Sequence, residues 1–162
     1  MGWVPSVKYT VGLSDRWDLG FQYEVIEWGA YGKYQLVGQN AAQGGDGLAL
    51  AGLVGTGLSY EGFYGFLGPV VSYKIGAFEP YFVERINYVD FPGSKIDVRD
   101  VGEVHVDPGV YKYLQHSFGF FWWANDWLAF GAETSLFTPI RSNFILKGRE
   151  RWLYSGQVSF RF

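Results

Sequence analysis

Cysteine is absent from the 162-residue chain, which excludes disulfide bonds and thiolate metal sites and is compatible with an oxidising compartment. Charge is also scarce: charged residues make up 18% of the chain, the net charge is −3, and no basic run suggests a nucleic-acid partner. Residues 1–5 lack the basic start and apolar core of a secretory signal. Residues 47–73 carry a single charge, at Glu61, but their many glycines and Pro69 favour strands over a transmembrane helix.

Aromatic residues and glycine are abundant instead. Aromatics make up 20% of the chain, with 7 Trp, 12 Tyr and 14 Phe, which is more than the core of a small soluble domain needs. The 23 glycines disfavour long helices. The length is that of one domain, which we assign to residues 1–162.

The last segment of the sequence shows the clearest pattern. In residues 152–162 every second residue, starting at Trp152, is apolar except Gly156, and polar residues such as Gln157 and Ser159 lie between them. A strict period of two predicts a strand with one apolar and one polar face. A length of about eleven residues is twice that of a usual soluble strand and suits a tilted strand that crosses a bilayer.

The same alternation recurs along the whole chain. A bulge is expected where Glu84 and Arg85 disturb the parity of the sixth strand. Residues 90–108 and 138–148 are predicted to be long loops, and residues 14–15, 76–77 and 125–126 short turns. The pattern predicts nine strands, at about residues 6–13, 17–25, 31–37, 48–60, 66–75, 78–88, 111–123, 127–137 and 152–162.

Short turns at one end and long loops at the other are typical of bacterial outer-membrane barrels, and such single-chain barrels have an even number of strands. Nine visible strands therefore indicate an intact barrel of ten, with one strand upstream of residue 6 missing, or of eight, with one strand split in two. The sequence predicts an all-β, antiparallel, up-and-down transmembrane barrel.

Alternation alone does not say which face meets water. In a soluble lipocalin-like ligand-binding barrel, the large apolar side chains of about nine strands would overfill an interior that is just wide enough for side chains or one small ligand. The other face, rich in Gly, Ala, Ser and Gln, suits a narrow polar lumen. Trp17, Trp123, Trp127 and Trp152 lie near predicted strand ends, where aromatic girdles of membrane barrels occur. The membrane barrel is the favoured interpretation, and the soluble barrel is the alternative.

Two segments carry a resemblance to a known class of proteins. Residues 12–20 read as a strand, a tight turn and a second strand, and Val158, Phe160 and Phe162 alternate up to a final aromatic. In these segments the chain resembles bacterial outer-membrane β-barrel proteins, and its end is similar to the signal that the barrel-assembly machinery reads. The resemblance implies a porin-like barrel in the outer membrane of a Gram-negative bacterium, with membrane lipid and the barrel-assembly machinery as partners.

The polar faces of the strands supply charges of both signs to the lumen. Ion pairs are expected among them, because an unpaired buried charge is unfavourable. A plugged lumen is the favoured interpretation, and a narrow channel for ions or small solutes is the alternative. The candidate lumen charges are Lys8, Asp18, Glu24, Lys33, Glu133, Arg151 and Arg161.

A further alternative is a lipid-modifying outer-membrane enzyme. His116, Ser117 and Glu133 have the residue types of an acyl-transfer triad. However, adjacent residues of a strand point to opposite faces, so His116 and Ser117 should not meet.

His105 and Asp107 lie in the predicted loop at residues 90–108, and two such residues are too few for a metal site. The sequence therefore predicts no catalytic residues, no metal and no cofactor. The expected role is structural, or an interaction through the loops at residues 90–108 and 138–148.

Overall fold

The computed structural model describes residues 2–24, 27–38, 45–59, 62–98, 102–106, 108–141 and 151–161. All regular structure in these residues is β-strand, and nine of the strands form one closed barrel. None of the described residues belongs to a helix long and apolar enough to cross a membrane. The prediction of an all-β barrel with nine visible strands is confirmed.

The alternating sequence forms long strands, and two neighbouring strands have 13 residues each. Such lengths are more than twice the common strand length. The barrel strands are β1 (Gly2–Gly12), β2 (Trp17–Glu24), β3 (Glu27–Val37), β4 (Gly47–Ser59), β5 (Gly62–Lys74), β6 (Phe78–Phe91), β9 (Gly109–Trp123), β10 (Leu128–Arg141) and β11 (Arg151–Arg161). Two short strands, β7 (Ser94–Val98) and β8 (Gly102–Val106), lie outside the barrel.

The barrel closes through a parallel pair. The order around it is β1-β11-β10-β9-β6-β5-β4-β3-β2, and the described neighbours pair antiparallel except β1 and β11, which run parallel from Gly2 opposite Leu153 to Thr10 opposite Arg161. Successive strands alternate in direction, so an odd number can close only through one parallel pair. Nine strands therefore close this barrel, in place of the expected all-antiparallel eight or ten.

The two ends of the barrel differ. The tight turns at residues 13–16, 75–77 and 124–127 lie at one end, which we call the turn end. At the other, the loop end, β7 and β8 pair antiparallel as a separate hairpin. The predicted loop at residues 90–108 therefore contains a hairpin that the sequence did not predict, because the five-residue runs of β7 and β8 are too short to stand out by periodicity.

The barrel is apolar outside and polar inside. Large side chains of the alternating positions point outward and are exposed, among them Phe21 at 52%, Phe118 at 56% and Trp122 at 61%. The buried inward residues are largely polar, and they include Thr10, Gln22, Asn87, Gln115, Ser117, Ser135 and Gln157. Of the two arrangements weighed from the sequence, the structure has the apolar face outward.

Two local expectations were wrong. Trp123 does not join an outward girdle but points inward, is 9% exposed, and donates a hydrogen bond from Nε1 to Glu79 at 2.8 Å. Its neighbour Trp122 takes the outward place, since consecutive strand residues face opposite sides. In the described ladder β6 pairs with β9 without a register shift, so Glu84 faces outward and Arg85 inward with no bulge between them.

Glycines and aromatic residues face each other across neighbouring strands and shape the interior. A Cβ on any of these glycines would overlap the facing ring, so each glycine gives an aromatic side chain room to lie across its strand. The directly opposed pairs are Gly20 with Tyr31, Gly55 with Phe66, Gly57 with Tyr64, and Gly119 with Tyr81.

Candidate functional site in the barrel lumen

The lumen holds a cavity of about 150 Å³ in its turn-end half. Charged residues of both signs line it, together with hydroxyl, amide and aromatic groups. The charged lining residues are Lys8, Lys33, Glu79, Arg85 and Glu133.

Glu133 is the centre of the polar network and is 8% exposed. Its Oε2 accepts hydrogen bonds from the Tyr81 hydroxyl at 2.7 Å and from Gln157 Nε2 at 3.0 Å. Lys8 Nζ lies 3.7 Å from the same oxygen, and Arg85 is close enough to act on the carboxylate electrostatically. These groups satisfy the hydrogen-bonding capacity of a buried carboxylate and place two cations beside it.

The register of three strands explains how Tyr81 reaches Glu133. Tyr81 on β6 lies opposite Gly119 on β9, and Gly119 lies opposite Glu133 on β10. Because Gly119 has no side chain, the Tyr81 ring crosses over it and places its hydroxyl on the carboxylate. One glycine therefore positions the central hydrogen bond of the lumen.

A layer of hydroxyl and amide groups lies next to Glu133. Ser135 Oγ donates to Glu133 Oε1 at 3.0 Å and lies 2.7 Å from Ser117 Oγ. Gln115 Nε2 donates to both serines at 3.2 Å, and Asn87 Nδ2 donates to Gln115 Oε1 at 3.4 Å. These neutral groups pair with one another and fix the carboxylate in place.

An apolar cluster of Tyr64, Phe66 and Val89 lies in the lumen on the loop-end side of the cavity. The rings of Tyr64 and Phe66 stack with centroids 6.2 Å apart, and both are about 95% buried or more, with exposures of 4% and 5%. Arg85 lies over the Phe66 ring, 5.0 Å from its centroid, and Gln22 donates to the Tyr64 hydroxyl at 3.3 Å. We call this cluster the lumen plug, and its Phe66 is also part of the cavity lining.

At the turn end the lumen carries a second set of charges. Lys33 and Asp18 form an ion pair with partly buried side chains. Lys74 Nζ lies 5.7 Å from the centroid of the Trp123 ring, whose indole N–H is bound to Glu79. The charges of this region are thus also paired or held against an aromatic ring.

The structure places the candidate lumen charges as follows. Lys8 and Glu133 meet in one ion pair, and Asp18 and Lys33 in another, all within the lumen. The side chains of Glu24, Arg151 and Arg161 lie outside the described residues. Val158 and Phe160 of the candidate assembly signal lie on β11, and Phe162 lies outside the described residues.

Sequence reasoning missed Arg85, Tyr81 and Gln157, which complete the network around Glu133. The buried positions of β6 alternate from Tyr81 through Arg85 to Val89, so strict parity counted from Tyr81 identifies Arg85 as inward. Because Glu84, the residue before it, is also charged, the alternation did not show which of the two residues points inward.

The residue types of a hydrolytic triad are present but do not assemble. Ser117 is fully buried in the lumen, whereas His116 faces outward and contacts Glu84. The side chain of His105 and all of Asp107 lie outside the described residues. Among the residues that the structure describes, no group of three or more His, Cys, Asp or Glu could hold a metal ion.

The lumen therefore holds a small polar pocket, and its described carboxylates are bound by hydrogen-bond donors or cations. Its arrangement suits a stabilising network, and it can hold water or a small polar solute in the cavity next to Lys8 and Glu133. No protein family, no curated protein and no solved structure matches this chain.

Proposed function

We propose that the chain is a membrane-spanning β-barrel of a bacterial outer membrane, with a plugged polar lumen and a structural or surface-interaction role. The observation that carries the proposal is the reversal of the soluble pattern, with large apolar side chains outside and polar ones inside. A soluble monomer rarely exposes an apolar patch of more than a few hundred Å². In a bilayer the same apolar surface faces the hydrocarbon chains of the lipids instead of water. A closed barrel also leaves no strand edge unpaired.

The dimensions support the same proposal. A strand of 13 residues such as β4 is about 43 Å long, and at a tilt of about 40° it spans about 33 Å, enough to cross the apolar core of an outer membrane. Outward tryptophans lie near both ends of the barrel, as in aromatic girdles. They are Trp17, Trp122 and Trp127 at the turn end, and Trp28 and Trp152 at the loop end.

Folding should depend on lipid or detergent. We expect a β-rich, heat-modifiable species when the denatured chain is diluted into detergent micelles or phosphatidylcholine vesicles, and aggregation in plain buffer, because the outer surface cannot be hydrated favourably. Far-UV circular dichroism and gel migration with and without boiling provide the measurement. A monodisperse β-protein in plain buffer would contradict the proposal.

A matched pair of arginine variants serves as the control. Val54 is 59% exposed near the middle of β4, and Val110 is 47% exposed near the end of β9. In vesicles, Val54→Arg should lower the free energy of unfolding by about 2–4 kcal/mol and Val110→Arg by about 0–1 kcal/mol, since the cost of a charge depends on depth in the membrane. Equal effects would indicate that the outer surface meets water.

The lumen plug should prevent conduction. We expect no stepwise current from the wild-type chain in a planar bilayer, and current steps from the Tyr64→Ala/Phe66→Ala variant, in which the two stacked rings between the cavity and the loop end are removed. The matched control is Phe63→Ala/Leu67→Ala, which shortens two exposed residues of the same strand. Current steps from the wild type would instead favour a narrow channel.

A further inference from the structure

Two ionisable residues lie on the outer apolar face of the barrel, outside the lumen site. Glu84 on β6 and His116 on β9 are directly opposite in the antiparallel ladder, and Nδ1 of the histidine lies 3.8 Å from Oε1 of the glutamate. Their side chains are 44% and 28% exposed. The next outward pair towards the turn end is Phe82 with Phe118, whose ring centroids are 4.7 Å apart.

The pair lies far from both ends of the barrel. From Glu84 to the end of β6 at Phe78 is about 20 Å along the strand, or about 15 Å of depth at a tilt of about 40°. In the other direction the outward pair Ile86 and Leu114 comes next, before Lys112 on β9. An acid and a base at this depth are costly in contact with lipid, and ionisable groups in such positions are usually paired or functional.

The neighbouring strand is irregular at the same height. In the described ladder between β5 and β6, pairing stops after Leu67 opposite Ile86 and resumes at Val70 opposite Val83. Pro69 lies in this gap and has no backbone N–H to donate, so one ladder hydrogen bond is lost beside Glu84. Around Glu84 the outer surface therefore has two polar side chains and, in addition, a backbone position that lacks its ladder hydrogen bond.

We propose that this patch, which we call the Glu84–His116 patch, is the contact of a two-fold symmetric dimer, in which Glu84 meets His116 of the partner subunit twice. The inference rests on the proposed membrane-spanning function. A two-fold axis along the membrane normal superimposes positions of equal depth, and opposite residues of an antiparallel ladder lie at nearly equal depth. An axis between β6 and β9 therefore brings each carboxylate to an imidazole.

A second copy is the occupant that the chemistry favours. A patch that presents one acid and one base at one depth is complementary to itself, whereas a lipid tail offers neither a donor nor an acceptor. The flanking residues Phe82, Phe118, Ile86 and Leu114 provide an apolar surface on both sides of the pair, and packing of such side chains supports association within membranes.

The absence of cysteine allows a clean test by energy transfer between labelled chains in phosphatidylcholine vesicles. A single dye position, Ala77→Cys, lies in the exposed turn between β5 and β6. We expect the wild-type chain to dimerise, and Glu84→Leu or His116→Leu alone to raise the dissociation constant by about tenfold or more, because each variant removes both contacts of the dimer.

An equimolar mixture of Glu84→Leu and His116→Leu shows whether the two residues interact within one chain or between two subunits. A mixed dimer keeps one Glu84–His116 contact and replaces the other by a leucine pair, so mixing should restore association. If the two residues act only within one chain, mixing restores nothing, and that result overturns the proposal. Asp90→Leu, which removes an exposed carboxylate near the end of β6, is the control and should leave association unchanged.

The failure of this inference is distinct from the failure of the proposed function. A wild-type chain that is heat-modifiable in vesicles but shows no energy transfer overturns the dimer alone. A chain that folds in plain buffer overturns the membrane barrel before the dimer is measured.

Discussion

Glu133→Gln should lower the free energy of unfolding by about 3–5 kcal/mol, the usual cost of removing one partner from a buried ion pair. The carboxylate is 8% exposed, and it balances Lys8 at 3.7 Å and the buried guanidinium of Arg85. A neutral amide leaves both cations without a counter-charge and weakens the acceptor for the Tyr81 hydroxyl. Urea unfolding in vesicles, followed by tryptophan fluorescence, provides the measurement.

Glu79→Gln is the matched control for this prediction. Glu79 also points into the lumen, but its carboxylate accepts a hydrogen bond from the neutral indole of Trp123, so the expected loss is about 1 kcal/mol. Adding Lys8→Met to Glu133→Gln should recover part of the stability, since it removes one of the two unbalanced cations. A loss of less than about 1 kcal/mol for Glu133→Gln itself would show that solvent or another group replaces the carboxylate.

The period of two in the sequence was enough to predict the strands and the polar face, but not the contacts across the closure. Lys8 lies opposite Ser159 on β11, and Glu133 lies on β10 beyond it. Their contact therefore crosses the parallel seam between β1 and β11. Because the even-strand rule for bacterial barrels led to a count of eight or ten, this seam was not expected, and neither was the neighbour of Lys8.

The alternation of inward and outward residues in β6 explains why the expected bulge at Glu84 and Arg85 is not found. Glu84 and Arg85 are adjacent and both charged, so one of them must occupy the apolar face if the strand is regular. A bulge would have avoided that conflict, which is why the sequence favoured one. The ladder with β9 is regular, and Glu84 is instead accommodated outside by His116. Sequence patterns locate such a conflict, but the pairing partner that resolves it lies about thirty residues away.

Gly119→Ala should be as damaging as the loss of Glu133, with a decrease of about 3–5 kcal/mol in the free energy of unfolding. A Cβ at this position would overlap the Tyr81 ring and lie 2.8 Å from the carbonyl oxygen of Ala132. Overpacking of this kind costs about 1–3 kcal/mol, and displacement of the ring also breaks a hydrogen bond to a charged group, worth about 1.5–3 kcal/mol. The same urea titration in vesicles measures the effect.

Gly52→Ala separates this steric argument from the general effect of replacing a strand glycine. Gly52 lies in β4, and a Cβ there would meet none of the described atoms within 4 Å, so the free energy of unfolding should change by about 0.5 kcal/mol or less. In a Tyr81→Ala background, Gly119→Ala should cost less, because the ring that the new methyl group displaces is then absent and only the contact with the Ala132 carbonyl oxygen remains. Equal losses of unfolding free energy for Gly119→Ala and Gly52→Ala would contradict this argument. They would mean that the Tyr81 ring does not need the space above Gly119 to place its hydroxyl on Glu133.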